Sequence, residues 1–138
     1  MSKCSLSLAL FAAIALCACG SDSASYLVDG RSDSAFSLFR GKSYPGADWD
    51  ITLAVTHLPD CQRRYTLRPV SSDNAYKAEL FLDTEGDYAL RSGKYWYQIR
   101  LSDCALKALS EAPPNPGETV GNWNEGESGF RFSPAARP

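Results

Sequence analysis

His57 is the only histidine in a chain of 138 residues, so acid–base chemistry near neutral pH would fall to it first. It follows the alternating run Trp49–Thr56 and precedes Leu58-Pro59-Asp60-Cys61. A serine hydrolase of the nucleophile-elbow type carries Gly-x-Ser-x-Gly, and the sequence contains none. His57 is therefore read as a hydrogen-bonded strand-end residue, and no catalytic residue is assigned. Asp83-Thr84-Glu85-Gly86-Asp87 has the composition of a calcium loop. An EF-hand, however, needs its glycine sixth and a glutamate twelfth, whereas here Gly86 is fourth and Lys94 is twelfth. Asp48 and Asp50 flank Trp49, but a glycosidase pair faces across a cleft. Two near neighbours on one strand face solvent. No metal and no cofactor are assigned.

Residues suited to binding are easier to find. Arg64 and Arg68 share the polar face of an alternating run, and the planar guanidinium fork matches carboxylate and phosphate. Phe81 and Trp96 are aromatic residues on a nominally polar face. Such residues either lie under a second packing layer or mark an interaction surface. Phe81, Trp96, Arg64 and Arg68 form the candidate binding surface. The chain has a formal net charge of −2 and no long basic run, so nucleic acid is not an expected partner.

The elements that must position these residues read as mainly β. Phe36–Arg40 is a weak strand. Tyr44-Pro45-Gly46-Ala47 is a turn by its Pro-Gly pair. Trp49, Ile51, Leu53 and Val55 alternate with Asp50, Thr52, Ala54 and Thr56, which is the period of a half-buried strand. Arg64–Val70 alternates again, and Pro69 places it at an edge. Residues 77–101 are expected to form a three-stranded antiparallel meander. Thr84-Glu85-Gly86 is its first loop, with Gly86 where a left-handed residue is wanted, and Ser92-Gly93 its second turn. This register pairs Leu80 with Leu90 and Tyr95, and Leu82 with Tyr88 and Tyr97, on the inner face. It places Glu79, Arg91 and Lys94 in one outer row and Phe81, Ala89 and Trp96 in another. Residues 103–110 read as a short helix capped by Ser102 and ended by Pro113-Pro114. Residues 113–117 read as a linker. Val120–Trp123 and Phe130–Phe132 read as a C-terminal hairpin. A single small domain over 35–132 is expected, with a frayed tail over 133–138. Both a sheet crossed by the helix and a partly closed barrel satisfy this pattern.

The N-terminus supplies an address. A positive charge at Lys3, a short apolar run and small residues at its end are the anatomy of a signal peptide. The run is too short to span a bilayer, which takes about 20 apolar residues. Leu16-Cys17-Ala18-Cys19 resembles the lipobox of bacterial lipoproteins. That resemblance implies a signal peptide over 1–18, with Cys19 diacylglycerol-modified and N-acylated, for example with palmitate, as the first mature residue. Gly20, rather than aspartate, implies the outer membrane, with the domain facing the periplasm. The Ser-, Asp- and Gly-rich stretch up to residue 34 then reads as a flexible tether of about 20 Å root-mean-square span. With Cys4 and Cys17 removed and Cys19 lipidated, Cys61 and Cys104 remain. In an oxidising envelope they are expected to form one disulfide.

Ser92-Gly93-Lys94-Tyr95-Trp96-Tyr97 is similar to the Ser-Gly, Tyr and Trp-rich hairpin of the membrane-bound C-type lysozyme inhibitors, which are also small disulfide-bonded β lipoproteins. The expected function is a lipid-anchored, non-enzymatic structural or binding module with the membrane and an envelope protein as partners. The alternative that this second resemblance implies is inhibition of a lysozyme-like enzyme.

Overall fold

Trp49–Thr56 alternates in the structure as its sequence predicts. The structure is a computed structural model that describes residues 21–136. The expected signal peptide, the expected lipidation site Cys19 and the last two residues lie outside the described residues. Strand β3 (Asp50–His57) buries Ile51, Leu53 and Val55 completely and turns Thr52, Ala54 and Thr56 outward. Around it β1 (Ser21–Leu27), β2 (Ser34–Gly41) and β4 (Cys61–Thr66) form a four-stranded antiparallel sheet in the order β1-β2-β3-β4. The second sheet holds β5 (Ala78–Leu82), β6 (Tyr88–Ser92), β7 (Tyr95–Arg100), β8 (Ala105–Leu109), β9 (Glu118–Gly126) and β10 (Gly129–Pro134). Its antiparallel order is β10-β9-β5-β6-β7-β8.

The sheets face one another across one core. Phe36, Leu38, Leu53 and Val55 come from the first sheet; Leu80, Leu90, Ile99 and Trp123 come from the second. Phe36 meets Tyr88 edge-on at 4.8 Å between ring centroids, a geometry that aromatic pairs favour. At one side β1 lies beside β10, where Tyr26 contacts Phe132 at 4.8 Å and the Trp123 indole N–H donates to the Ala24 carbonyl at 3.0 Å. At the other side the Cys61–Cys104 disulfide, with Cα atoms 6.0 Å apart, ties the start of β4 to the link between β7 and β8. The sheets do not close into a barrel. No helix among the described residues is long and apolar enough to cross a membrane.

The first hairpin has the expected register, with Leu80 opposite Leu90 and Leu82 opposite Tyr88. The Asp83 carboxylate accepts the Glu85 and Asp87 N–H groups at 2.8 and 3.0 Å, so the loop uses this side chain itself. The second hairpin differs by two residues. Leu90 faces Tyr97, and Ser92 closes against Tyr95. The turn is Gly93-Lys94, with Gly93 at φ 59° in the first central position, which suits a primed hairpin turn. Ser92 stays in the ladder because its buried hydroxyl hydrogen-bonds the Tyr76 hydroxyl at 2.7 Å. A shift of two preserves the sorting of side chains between faces; a shift of one would invert it.

Three expectations are corrected. The predicted helix over 103–110 is strand β8, preceded by a 3₁₀ turn at Leu101–Asp103. Cys104 adopts a left-handed conformation at φ 56°, which interrupts a helix at its first turn. An isolated helix of this length is marginal, whereas the free edge of β7 offers a ladder from Trp96–Leu109 to Arg100–Ala105. The predicted tether is also structured. Residues 21–27 pair with β2 from Ser21–Gly41 to Leu27–Ala35. Their serines face outward and hide the inward alternation of Ala24 and Tyr26, both of which pack on the core. The tail is held through residue 135, where the Ala135 N–H donates to the Val120 carbonyl at 2.9 Å.

Candidate functional site

His57 lies at the end of β3 opposite Ser34. The Ser34 hydroxyl and His57 Nδ1 are 2.9 Å apart. Asp60 Oδ2 is 3.7 Å from Nε2, beyond hydrogen-bonding distance. The aspartate side chain is 67% exposed, so the three residues do not share a water-excluding cleft. They staple the β3–β4 turn to β2. Asp48 and Asp50 are both exposed, as two near neighbours on a solvent-facing run should be.

The four candidate binding residues do not form one surface. Arg64 lies on the outer face of the first sheet, opposite Ala54, with its guanidinium 4.7 Å from the Phe39 ring centroid. Arg68 lies beyond β4 and reaches the Tyr95 ring at 5.3 Å, while its backbone N–H donates to the Tyr97 hydroxyl. Phe81 and Trp96 do meet. Their rings stack at 5.6 Å across β6 on the outer face of the second sheet, and both are half-buried. They occupy different rows, since Phe81 faces Ala89 and Trp96 faces Arg91. Next to them the proline-rich crossover 110–117 runs over Ala89, Gln98 and Leu109 of the same sheet, leaving a groove of about 320 Å³. Gly117 is packed so closely that a Cβ there would lie 2.2 Å from the Leu82 carbonyl oxygen. Truncating Phe81 and Trp96 to alanine singly and together is expected to reveal a coupling of about 1 kcal/mol in urea unfolding. Additive effects would show that the rings merely adjoin.

A larger groove, about 630 Å³, opens at the β6–β7 turn. Its lining includes Lys77, Arg91, Lys94 and Tyr95, with Asp48 and Glu79 as the acidic members. Each side chain has an evident support. Arg91 Nε donates to the Gly93 carbonyl at 3.2 Å, and the guanidinium lies 5.9 Å from the Trp96 ring. Lys94 lies 5.4 Å from the Tyr95 ring. Lys77 is 3.7 Å from Glu79. The turn packs closely on the wall beneath them: a Cβ on Gly93 would meet the Val70 side chain at 2.7 Å. Three cations against two carboxylates, one of them partnered by Lys77, give the groove an excess of positive charge. Of the predicted outer row, Glu79 and Arg91 do face one another, while Lys94 lies in the turn and reaches the groove from there. Lys77 and the wall formed by residues 69–75 carried no signal in the sequence, since a loop that packs across a sheet has no periodicity.

Beneath the groove the Tyr76 hydroxyl is buried, and burial pushes its pKa upward against the lowering effect of the Ser92 hydrogen bond. Burial also pushes Tyr88 up to about 12, with Tyr26 and Asp29 adding to the rise. Both groups favour the neutral form in the folded state. The stability they contribute is complete below the ordinary tyrosine pKa near 10 and is lost as pH rises through the folded value. The expected result is alkaline destabilisation between about pH 10 and 12, reduced by Tyr88→Phe. Urea midpoints that are flat across this range would remove the argument.

Fold and site together define a two-sheet antiparallel β domain, closed by one disulfide, with a mixed-charge groove at one end. Compared with known proteins, the chain matches no family model, no curated sequence and no solved structure.

Proposed function

We propose that this protein is a bacterial envelope lipoprotein, anchored through Cys19 in the outer membrane and facing the periplasm, whose folded domain is a non-enzymatic binding module. The groove between the β6–β7 turn and residues 69–75 is its ligand site. The observation that carries the binding role is that Lys77, Arg91 and Lys94 line one groove. A ligand with carboxylate or phosphate groups matches that groove. Support for a role other than catalysis comes from His57, whose serine neighbour ties it to a strand end and whose aspartate neighbour is beyond hydrogen-bonding distance and largely exposed.

The anchor is tested by the intact mass of protein purified from membranes. The expected species begins at lipidated Cys19 and yields two thiols only after reduction. Cys19→Ser is expected to abolish labelling by an alkyne analogue of palmitate. A full-length unmodified mass would end the proposal. The lysozyme-inhibitor alternative has weaker support. Of its hexapeptide, Gly93, Lys94 and Tyr95 line the groove, while Ser92 is buried and Trp96 stacks on Phe81 beside it.

A further inference from the structure

We infer that the groove faces the bilayer and takes the net-anionic phosphate headgroups of its lipids, an inference that rests on the Cys19 anchor proposed above. The reason is the short distance in sequence between that anchor and the sheet. β1 is paired with β2 from Ser21 onward, so Cys19 precedes the ladder by only two residues. Two extended residues reach at most about 7 Å. An acyl chain on Cys19 therefore holds the Ser21 end of the domain against the membrane, with no tether to let it turn away.

The groove lies at this same end. Ser21 faces Gly41, and Gly41 faces Asp50. The ladder continues in this direction through the Trp49–Val70 bridge, and Val70 packs against Gly93 of the β6–β7 turn. Asp48, Val70, Ser71, Gly93 and Lys94 all line the groove. Leu58 and the Cys61–Cys104 disulfide belong to the opposite end, beyond the far end of β2. The eight residues of β2 place that end about 25 Å away.

The chemistry agrees with the position. Lys77, Arg91 and Lys94 present charge for phosphate, and a basic residue near an anionic surface is worth about a fivefold gain in association. Beside them the loop after β2 carries Lys42 and the exposed Tyr44, an amphipathic ring suited to the headgroup layer. Acidic groups are present at this end too. In the groove itself Asp48 and Glu79 stand against the three cations, with Glu79 3.7 Å from Lys77; Asp22 and Glu125 are both paired with the buried Arg40, while Asp50, Asp73 and Glu127 line no part of the groove.

The test uses the mature lipidated protein in nanodiscs of phosphatidylcholine, with and without phosphatidylglycerol, and reads the Gly93 and Lys94 amide signals by NMR. These signals are expected to move with phosphatidylglycerol and to stay in place when inorganic phosphate is added to the neutral discs. Lys94→Gln, an exposed change, is expected to raise the phosphatidylglycerol content needed for half the shift about fivefold. In parallel, a nitroxide at Tyr44→Cys is expected to contact a headgroup-bound nickel chelate, while one at Leu58→Cys does not. Equal exposure of the two labels on protein whose mass shows the Cys19 lipid overturns the inference and leaves the anchor standing. An equal shift with free phosphate overturns it in favour of a soluble anion. Absence of the lipid from the mass removes the anchor itself.

Discussion

Replacing Cys104 with serine is expected to lower stability by about 4 kcal/mol, the chain-entropy value for a bridge of this span. The disulfide joins residues 43 apart in sequence, and opening it returns that loop's freedom to the unfolded chain. For a domain of this size the loss corresponds to a fall in Tm of about 15 °C. Position matters as well as span. On this side of the molecule the edge strands β4 and β8 belong to different sheets and share no ladder. The disulfide and the Tyr65 hydroxyl, which donates to the Cys104 carbonyl, are the links between them. Cys104 is itself fully buried, so the variant also places a hydroxyl where a sulfur bond was. Thermal unfolding followed by circular dichroism, with and without reductant, measures the effect. A loss below about 1 kcal/mol would mean that the unfolded chain is already constrained over this loop.

Trp123→Ala is expected to cost about 3–5 kcal/mol, the range for deleting a buried large aromatic side chain. Trp123 is fully buried, meets Phe132 edge-on at 4.8 Å and donates its indole N–H to the Ala24 carbonyl. One side chain thus fills the core and fastens β1, whose outer neighbour is not a strand of its own sheet. Trp123→Phe separates these roles. It restores much of the volume but leaves the Ala24 carbonyl without its donor, a cost of about 1–3 kcal/mol. Urea midpoints should rank Trp123→Phe between the parent and Trp123→Ala. Amide exchange in β1 should rise in both variants. If β1 stays protected in Trp123→Phe, the indole bond is not what holds it.

How much of this was legible depended on whether a signal was local. β3 was readable because Ile51, Leu53 and Val55 fall on one face of every pairing available to it. The first hairpin was readable because Gly86 and the Asp83 carboxylate form the loop without help from elsewhere. The β6–β7 turn was found but displaced, because the choice between Ser92-Gly93 and Gly93-Lys94 is made by the Tyr76 hydroxyl, sixteen residues before Ser92. β8 was misread as a helix because Ala105-Leu106-Lys107-Ala108-Leu109 contains good helix formers. The edge of β7 outweighed that preference, and a sequence read alone does not display an edge.

The binding residues divide along the same line. Phe81 and Trp96 were recognisable as aromatics on a polar face, and they do stack. Arg64 and Arg68 looked like a pair because they share a strand parity, yet they reach different aromatic rings. The groove residues Lys77, Arg91 and Lys94 come together only when the chain leaves β4, crosses to the second sheet and folds residues 69–75 over the β6–β7 turn.

The sequence by itself determined that this is a β domain and which faces of β3 and the first hairpin are buried, while the Cys61–Cys104 pair was expected only through the lipobox resemblance and is seen in the structure. Alternation and turn chemistry are properties of short segments, and short segments carry them into any fold. Tertiary structure alone decided that residues 21–27 are a strand, that residues 105–109 close the edge of β7, and that the basic groove opens at the end where the chain emerges from residue 20. Each of those outcomes is set by a partner distant in the chain. Arg40 holds Asp22 and Glu125 together, Trp123 holds Ala24, and Val70 holds Gly93.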